Sequence, residues 1–299
     1  MPAPASKPIH AMTIDVEDYF QVSAMEDCLH RDQWGDMESR VEPSTDRMLA
    51  LLDRCKVQGT FYILGWVAER FPQLVRRIAD AGHEIASHGY WHRLVYTQTP
   101  DEFAKDLQDS CNAIESACGI RPTAYRAPSF SITEKSLWAL DVLVEEGFTD
   151  DSSVFPITGH DRYGIPNAKK EIHDLETKSG RLQEFPPSVG KAIGCPVPVG
   201  GGYFRLLPLS VTTKAIQAIE RRHHPAMFYI HPWEIDPGQP KVKGLSRKTA
   251  FRHYVGLKNT EDKLQRLMQR VKFGTMSQAI AGYMQSKSKS SEQEMKQTA

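Results

Sequence analysis

His88-Gly-Tyr-Trp-His92 puts two imidazoles four residues apart directly after an apolar run. That spacing sets both rings on one face of a helical turn and suits a divalent metal. In a chain with eleven histidines the same pair also arises by chance, as loop histidines bonded to backbone. An acidic run, Thr13-Ile-Asp-Val-Glu-Asp18, closes another apolar segment. Strand alternation would set Asp15 and Glu17 on one face and Val16 on the other, and carboxylates gathered at a strand end repel unless a cation, an arginine or a proton intervenes. The plain alternative is a solvated turn. Two imidazoles and a carboxylate form a common catalytic zinc set with an open position for water.

Three further points end apolar runs. Arg126 is costly there unless it meets a carboxylate, and we read it as the partner of Asp15 rather than as an arginine snorkelling to solvent. His231 follows Met227-Phe-Tyr-Ile230 and can titrate near neutral pH and hand a proton to a leaving group, unless it is a satisfied core histidine. Asp151, in Asp150-Asp-Ser-Ser153, can orient His231, bind substrate or simply cap a helix. Aromatic residues flank these points. Tyr19, Phe20, Trp91 and Trp233 offer flat faces for a ligand to stack on or pack the mouth of the fold.

These points must be held by strands, because catalytic groups in parallel α/β folds gather at the carboxyl ends of strands. The pattern predicts a strand over Ile9–Val16, a helix running from a cap at Ser44 or Thr45 through Met48, Leu51, Leu52 and Cys55, and a strand over Val57–Gly65. A helix over Pro72–Ala81 closed by Gly82 and a strand over His83–Ser87 follow. The alternation continues with a helix over Pro100–Cys118, a strand near Ala124, a helix over Thr133–Gly147 and short apolar segments at Gly147, Leu182 and Ala226. Repeated βα units require crossovers and a parallel sheet, and about seven strands favour a closed or nearly closed barrel. The polar stretch from Gly159 to Gly180 reads as a long loop near the mouth.

Composition bounds the rest. With 299 residues, 37 Lys+Arg against 37 Asp+Glu and 40% hydrophobic residues, the chain is globular and lacks the field that nucleic acid needs. We expect a flexible segment over 1–8, one catalytic barrel domain with a C-terminal helical region over 9–285, and a disordered tail over 286–299. Five cysteines without CxxC spacing read as buried free thiols. The chain opens without an apolar leader and contains no long apolar span, so a cytoplasmic location is expected, with the inner membrane face as a further possibility.

Taken in order from roughly Met12 to Trp233, the motifs resemble the polysaccharide deacetylase family, the chitooligosaccharide-deacetylase-like carbohydrate esterases. They are Thr13-Ile-Asp-Val-Glu-Asp, Thr60-Phe-Tyr-Ile-Leu-Gly, Gly82-His-Glu-Ile-Ala-Ser-His-Gly-Tyr-Trp-His92, Tyr125-Arg-Ala-Pro-Ser, Asp151-Ser-Ser-Val-Phe-Pro and Ile230-His231. Asp15-Val-Glu-Asp-Tyr-Phe, with Arg252-His-Tyr, Lys263-Leu and Phe273, is similar to deacetylases associated with exosortase and exopolysaccharide gene clusters. The resemblance implies a distorted (β/α)7 barrel and a divalent metal, usually zinc, held by one carboxylate and two histidines. It implies Asp15 as base, His88 and His92 as ligands, Arg126 orienting Asp15, and His231 as acid. Many members carry two adjacent aspartates, whereas Val16 follows Asp15 here, so the carboxylate ligand is Glu17 or Asp18, with alternation favouring Glu17. A backbone N–H between Tyr125 and Ser129 would stabilise the oxyanion, and Tyr125, Pro128, Trp91 and Trp233 are the expected substrate contacts. The implied reaction is hydrolysis of N-acetyl groups on an exopolysaccharide or its precursor. Two rivals stand beside it: an allantoinase-like hydrolase of a small C–N substrate, and a carbohydrate-binding barrel without turnover.

Overall fold

The computed structural model describes residues 7–157, 164–192 and 194–298, with side chains of the last helix described through 288. Residues 1–6 of the N-terminal segment, 158–163 of the polar stretch and Ala299 therefore lie outside the described residues. In chain order the elements begin with β1 (His10–Val16), α1 (Val41–Cys55), β2 (Thr60–Ile63), α2 (Gly65–Arg70), α3 (Pro72–Asp80) and β3 (Glu84–Ser87). Next come α4 (Pro100–Cys118), β4 (Ala124–Tyr125), α5 (Trp138–Glu145), β5 (Asp150–Asp151), β6 (His173–Glu176), β7 (Arg181–Glu184), β8 (Val189–Ala192) and β9 (Cys195–Pro198). The chain finishes with α6 (Gly201–Leu206), α7 (Leu209–Glu220), β10 (Met227–Ile230), α8 (Arg247–Tyr254), α9 (Leu257–Met268), β11 (Phe273–Gly274) and α10 (Met276–Thr298).

The main sheet runs in the order β10-β1-β2-β3-β4-β5-β7-β6, with β11 added beside the start of β1. All pairings from β10 to β7 are parallel, and only the β6–β7 hairpin is antiparallel. This curled sheet with helical crossovers is the distorted barrel that the alternation predicts, opened rather than closed. Its two ends, β10 and β6, do not pair among the described residues. The hairpin β8–β9 packs beside that seam, where Ser188 Oγ accepts the Met227 N–H at 2.8 Å.

Alternation along β1 separates two cores. Met12, Ile14 and Val16 face the large cluster beneath α1, α3 and α9. Ala11, on the other face, joins Tyr62, Ala86, Ala124 and Met227 inside the curl. The small alanines leave room for α10, whose Met276, Ala279, Ile280 and Tyr283 plug the amino end of the sheet. Above that layer the inward positions turn polar, beginning with Thr13 and Asp15.

Several boundaries differ from expectation for physical reasons. α1 starts at Val41 because a distant carboxylate caps it: Asp18 Oδ2 accepts the N–H groups of Arg40 (2.8 Å) and Val41 (3.1 Å). The polar stretch contains β6, whose His-Asp-Leu-Glu sequence gives no apolar alternation because it is a partly exposed edge. α10 continues through residues without apolar periodicity, since Lys, Glu, Gln and Met extend a helix whose first turns are already packed. All five cysteines are free thiols, yet only Cys111 is buried; Cys195 is exposed on β9. Among the described residues no helix is long and apolar enough to cross a membrane.

Candidate active site and metal centre

Arg126, directly after β4, is fully buried, and its surroundings account for its charge. One guanidinium nitrogen donates to Asp15 Oδ1 at 2.6 Å and to Thr13 Oγ1 at 2.9 Å, and the other donates to Ser152 Oγ at 3.1 Å. The Tyr62 ring lies 4.0 Å from the guanidinium carbon. This is the Asp15 partnership the sequence suggests. With Oδ1 held, Asp15 presents Oδ2 toward His231, 3.8 Å from Nε2.

Glu17 continues the face of Asp15 past the end of β1, and it converges with His88 and His92. One ligand atom from each lies within 4.8 Å of the others, and all three residues are buried. Glu17 Oε2 stands 2.7 Å from His92 Nε2 without accepting a hydrogen bond. Burial alone would raise the Glu17 carboxyl, but His92 and His231 beside it hold it down, at about 2. His88 Nδ1 faces the Arg126 carbonyl at 2.8 Å, which fixes that nitrogen as the donor and leaves Nε2 with its lone pair. Burial lowers His88 to about 4 and keeps it neutral. Ser23 Oγ sits 3.4 Å from His92 Nδ1, so its Nε2 also faces the cluster. Two imidazole nitrogens facing inward and a buried carboxylate oxygen lacking a hydrogen-bond donor fit a divalent cation. Asp18 is not part of the set, because its oxygens are spent on Ser39, Tyr19 and the start of α1.

Residues 88–92 form an irregular loop rather than the helical turn that the spacing suggests. Asp106, in α4, explains why. Its two oxygens accept the N–H groups of Tyr90 (2.7 Å) and Trp91 (3.2 Å) and draw the loop down onto the helix. Gly89 permits this with φ +74°, and a Cβ there would sit 2.7 Å from Asp106 Oδ2.

His231 closes the site at the end of β10. Its Nδ1 lies 2.7 Å from Glu234 Oε1, which also accepts the His231 backbone N–H at 3.1 Å. Arg205, in α6, anchors Glu234 Oε2 and donates to the carbonyls of His253 (2.7 Å) and Val255 (2.9 Å). Burial pulls the His231 imidazole down, but Glu17, Glu234 and Asp15 outweigh it and raise the ring to about 9. Sequence reasoning does not reach Glu234 or Arg205. A signal for Glu234 exists: His-Pro-Trp-Glu reads as a capping box with Pro at the first position, which folds the Glu back onto the His. Arg205 has no such signal.

Other expected residues lie elsewhere. Asp151 does not orient His231: its oxygens accept Ser153 Oγ (2.6 Å) and Ser153 N (3.2 Å), and it faces Glu184 across β5–β7. Tyr125 is a core residue packed on Phe103 and Phe148, and Pro128 is buried at the start of a tight turn. Trp233 is 4% exposed; it stacks between His231 and His253, and its Nε1–H donates to Glu17 Oε1 at 3.2 Å. It therefore positions a carboxylate instead of offering a face to sugar. Tyr19 and Phe20 are likewise buried. Trp91, at 37% exposure, keeps an accessible ring. Of the amides from 126 to 129, Arg126 N–H goes to Ser87 O and Ala127 N–H to Ser153 Oγ, and Pro128 has none.

Comparison with known proteins places this geometry. Residues 33–143 match the profile described as Polysaccharide deacetylase, and residues 152–281 match one described as Domain of unknown function (DUF3473). Over residues 33–143 the chain is similar to the polysaccharide deacetylase family. The chain is 27% identical to the Peptidoglycan-N-acetylglucosamine deacetylase of Bacillus cereus over 170 residues, 48% of this chain and 62% of that protein. It is 36% identical over 118 residues to the Peptidoglycan deacetylase-like protein FGM2 of Gibberella zeae, 38% of this chain and 33% of that relative. The match thus spans less than two thirds of either curated relative. The fold is shared with a Mycobacterium smegmatis crystal structure assigned to the polysaccharide deacetylases, at a TM-score of 0.64 and 24% identity, covering 96% of this chain and 94% of that one.

Proposed function

We propose that this chain is a metal-dependent deacetylase that removes N-acetyl groups from amino sugars of an exopolysaccharide or its precursor. One observation carries the reading: the buried Glu17–His88–His92 cluster opens beside Asp15, held by Arg126, and His231, held by Glu234. A divalent cation on those three ligands, zinc by the nature of the donor set, would place positive charge beside the reacting acyl group and acidify water there. Asp15 Oδ2 takes the proton of the attacking water. His231 Nε2 delivers a proton to the departing amine while Glu234 keeps Nδ1 as the other donor. The Ser129 N–H is the remaining amide in its turn that can face the acyl oxygen, a contact whose loss typically costs about 3 kcal/mol. Trp91 is the surface ring for a neighbouring sugar. The sum is an amide and water converted to acetate and a free amino sugar.

Because β1, β4 and β10 all contribute, residues 9–285 are read as one catalytic domain. The free thiols favour a reducing compartment, and we place the enzyme in the cytoplasm. The test combines metal analysis of the purified protein with acetate release from N-acetylglucosamine oligomers and ureide hydrolysis assayed in parallel. Acetate release that Asp15→Asn abolishes while bound metal is retained is the expected result. Ureide turnover without acetate, or saccharide binding with no product, would replace the reading with one of its rivals.

A further inference from the structure

The connection from β10 to α9 has a composition unlike the rest of the chain. Between residues 237 and 260 it has no carboxylate and six cations, Lys241, Lys243, Arg247, Lys248, Arg252 and Lys258, in a protein whose formal charges sum to zero. All six are exposed, and among the described residues none forms an ion pair. The acidic residues that follow are already taken, Glu261 by Arg47 and Arg54 and Asp262 by Arg266. The topology fixes where this charge sits. The segment leaves the carboxyl end of β10, and α9 leads back to β11, which pairs with the first residues of β1. The cations therefore lie over the same end of the sheet as His231.

A groove of about 420 Å³ opens in this segment, lined among others by Gln239, Lys241, Tyr254, Lys258 and Asn259. The two exposed ammonium groups and the Asn259 amide are side chains that hold carboxylates and hydroxyls of acidic sugars, while the Gln239 amide and the Tyr254 hydroxyl are bonded within the wall. Its wall is continuous with the catalytic one. Gln239 bonds His253 Nε2 at 2.7 Å and the Trp233 carbonyl at 2.8 Å, and the rings of His253, Trp233 and His231 stack in series.

We propose that the glycan deacetylated here is anionic, with carboxylate-bearing residues that seat in the Lys241–Lys258 groove beside the acetamido sugar at the reaction centre. The inference rests on the deacetylase reading and names its substrate class. Exposed cations of this kind attract a polyanion over several ångströms and lose that advantage when salt screens them.

The full chain is titrated with three probes at about 50 mM and about 500 mM salt: a hexasaccharide of alternating glucuronate and N-acetylglucosamine, the neutral N-acetylglucosamine hexamer, and phosphatidylglycerol–phosphatidylcholine vesicles. The acidic hexasaccharide should bind about tenfold more tightly than the neutral one at low salt, with the advantage gone at high salt. K241E combined with K258E should erase the advantage at unchanged Tm; K241Q with K258Q serves if charge reversal unfolds the chain. Equal affinity for the two sugars, or an advantage that survives in the double variant, overturns the proposal. Vesicle binding without discrimination between the sugars overturns it as well and assigns the strip to a membrane. Acetate release from the neutral hexamer by the unmodified protein tests the deacetylase reading separately, so failure of one is distinguishable from failure of the other.

Discussion

Glu17 sits in two sets of contacts at once, which makes it the most informative single side chain. Its Oε2 belongs to the cluster with His88 and His92, while Oε1 is steadied by Trp233 and lies 3.5 Å from His231 Nε2. His92→Ala removes one of the three proposed ligands, and we expect metal affinity to fall by at least about a hundredfold, measured by competition with a chromogenic chelator. A variant that keeps full affinity and activity would remove His92 from the cluster. Glu234→Gln tests the other side. The substitution keeps shape but leaves the buried Arg205 guanidinium without its counter-charge, so stability should drop by about 3 kcal/mol in denaturant titration. Because Glu234 also fixes the His231 tautomer, kcat should fall with little change in KM. The pairing of Arg126 with Asp15 was legible in the sequence because a cation closing an apolar run needs a carboxylate. Glu234 was not, because its role depends on a tight turn that reverses the chain within three residues.

At the level of elements, the loop between β3 and α4 shows how the proposed metal centre is shaped from a distance. His88 leaves β3 directly, but His92 reaches the cluster only because Asp106 pins the amides of Tyr90 and Trp91 from the side of α4. Asp106→Ala would free two N–H groups under the loop. The expected outcome is weaker metal binding, by about tenfold, with the helical circular-dichroism signal preserved; loss of helix content instead would show that Asp106 supports α4 itself. Gly89→Ala should have the same effect on the metal and cost roughly 1–3 kcal/mol in stability, since it adds a Cβ where φ is positive and a carboxylate oxygen is close. The sequence showed the H-x3-H spacing but attributed it to helical periodicity. The loop is irregular because a side chain 14 residues from His92 organises it, and no local pattern records that contact.

Across the whole molecule the sheet brings together parts that local patterns describe unevenly. The strands were readable because buried parallel strands are apolar throughout, and β1 also showed its inward face through Asp15 and Glu17. The edge strand β6 and the seam beside β8–β9 were not, because their positions answer to neighbours and not to a core, whereas β7 showed itself at Leu182. One buried pair there contributes to the response to pH. Burial, reinforced by the Asp151 charge, raises the Glu184 carboxyl well above its usual value, and burial raises Asp151 as well. An acid raised in the fold stabilises it fully below the unfolded pKa and loses that contribution as pH rises through the folded value. The native protein should therefore lose stability from about pH 4.5 upward relative to Glu184→Gln, by at least about 1 kcal/mol at neutral pH. Unfolding curves for both proteins from pH 4 to 8 check this, and profiles that run parallel would count against a raised Glu184 carboxyl.

The two profile matches divide the proposed catalytic groups between them. His88, His92 and Arg126 fall within residues 33–143, His231, Glu234 and Arg205 fall within 152–281, and Asp15 and Glu17 precede both. No stretch recognised on its own holds enough of the apparatus to work. A recombination that exchanged either portion for a distant counterpart would have to preserve strand register across β1 and β10 to about a residue's rise, since a single-step slip would turn both amino-terminal carboxylates away from the cleft. Inheritance of such a protein is thus constrained to proceed in one piece.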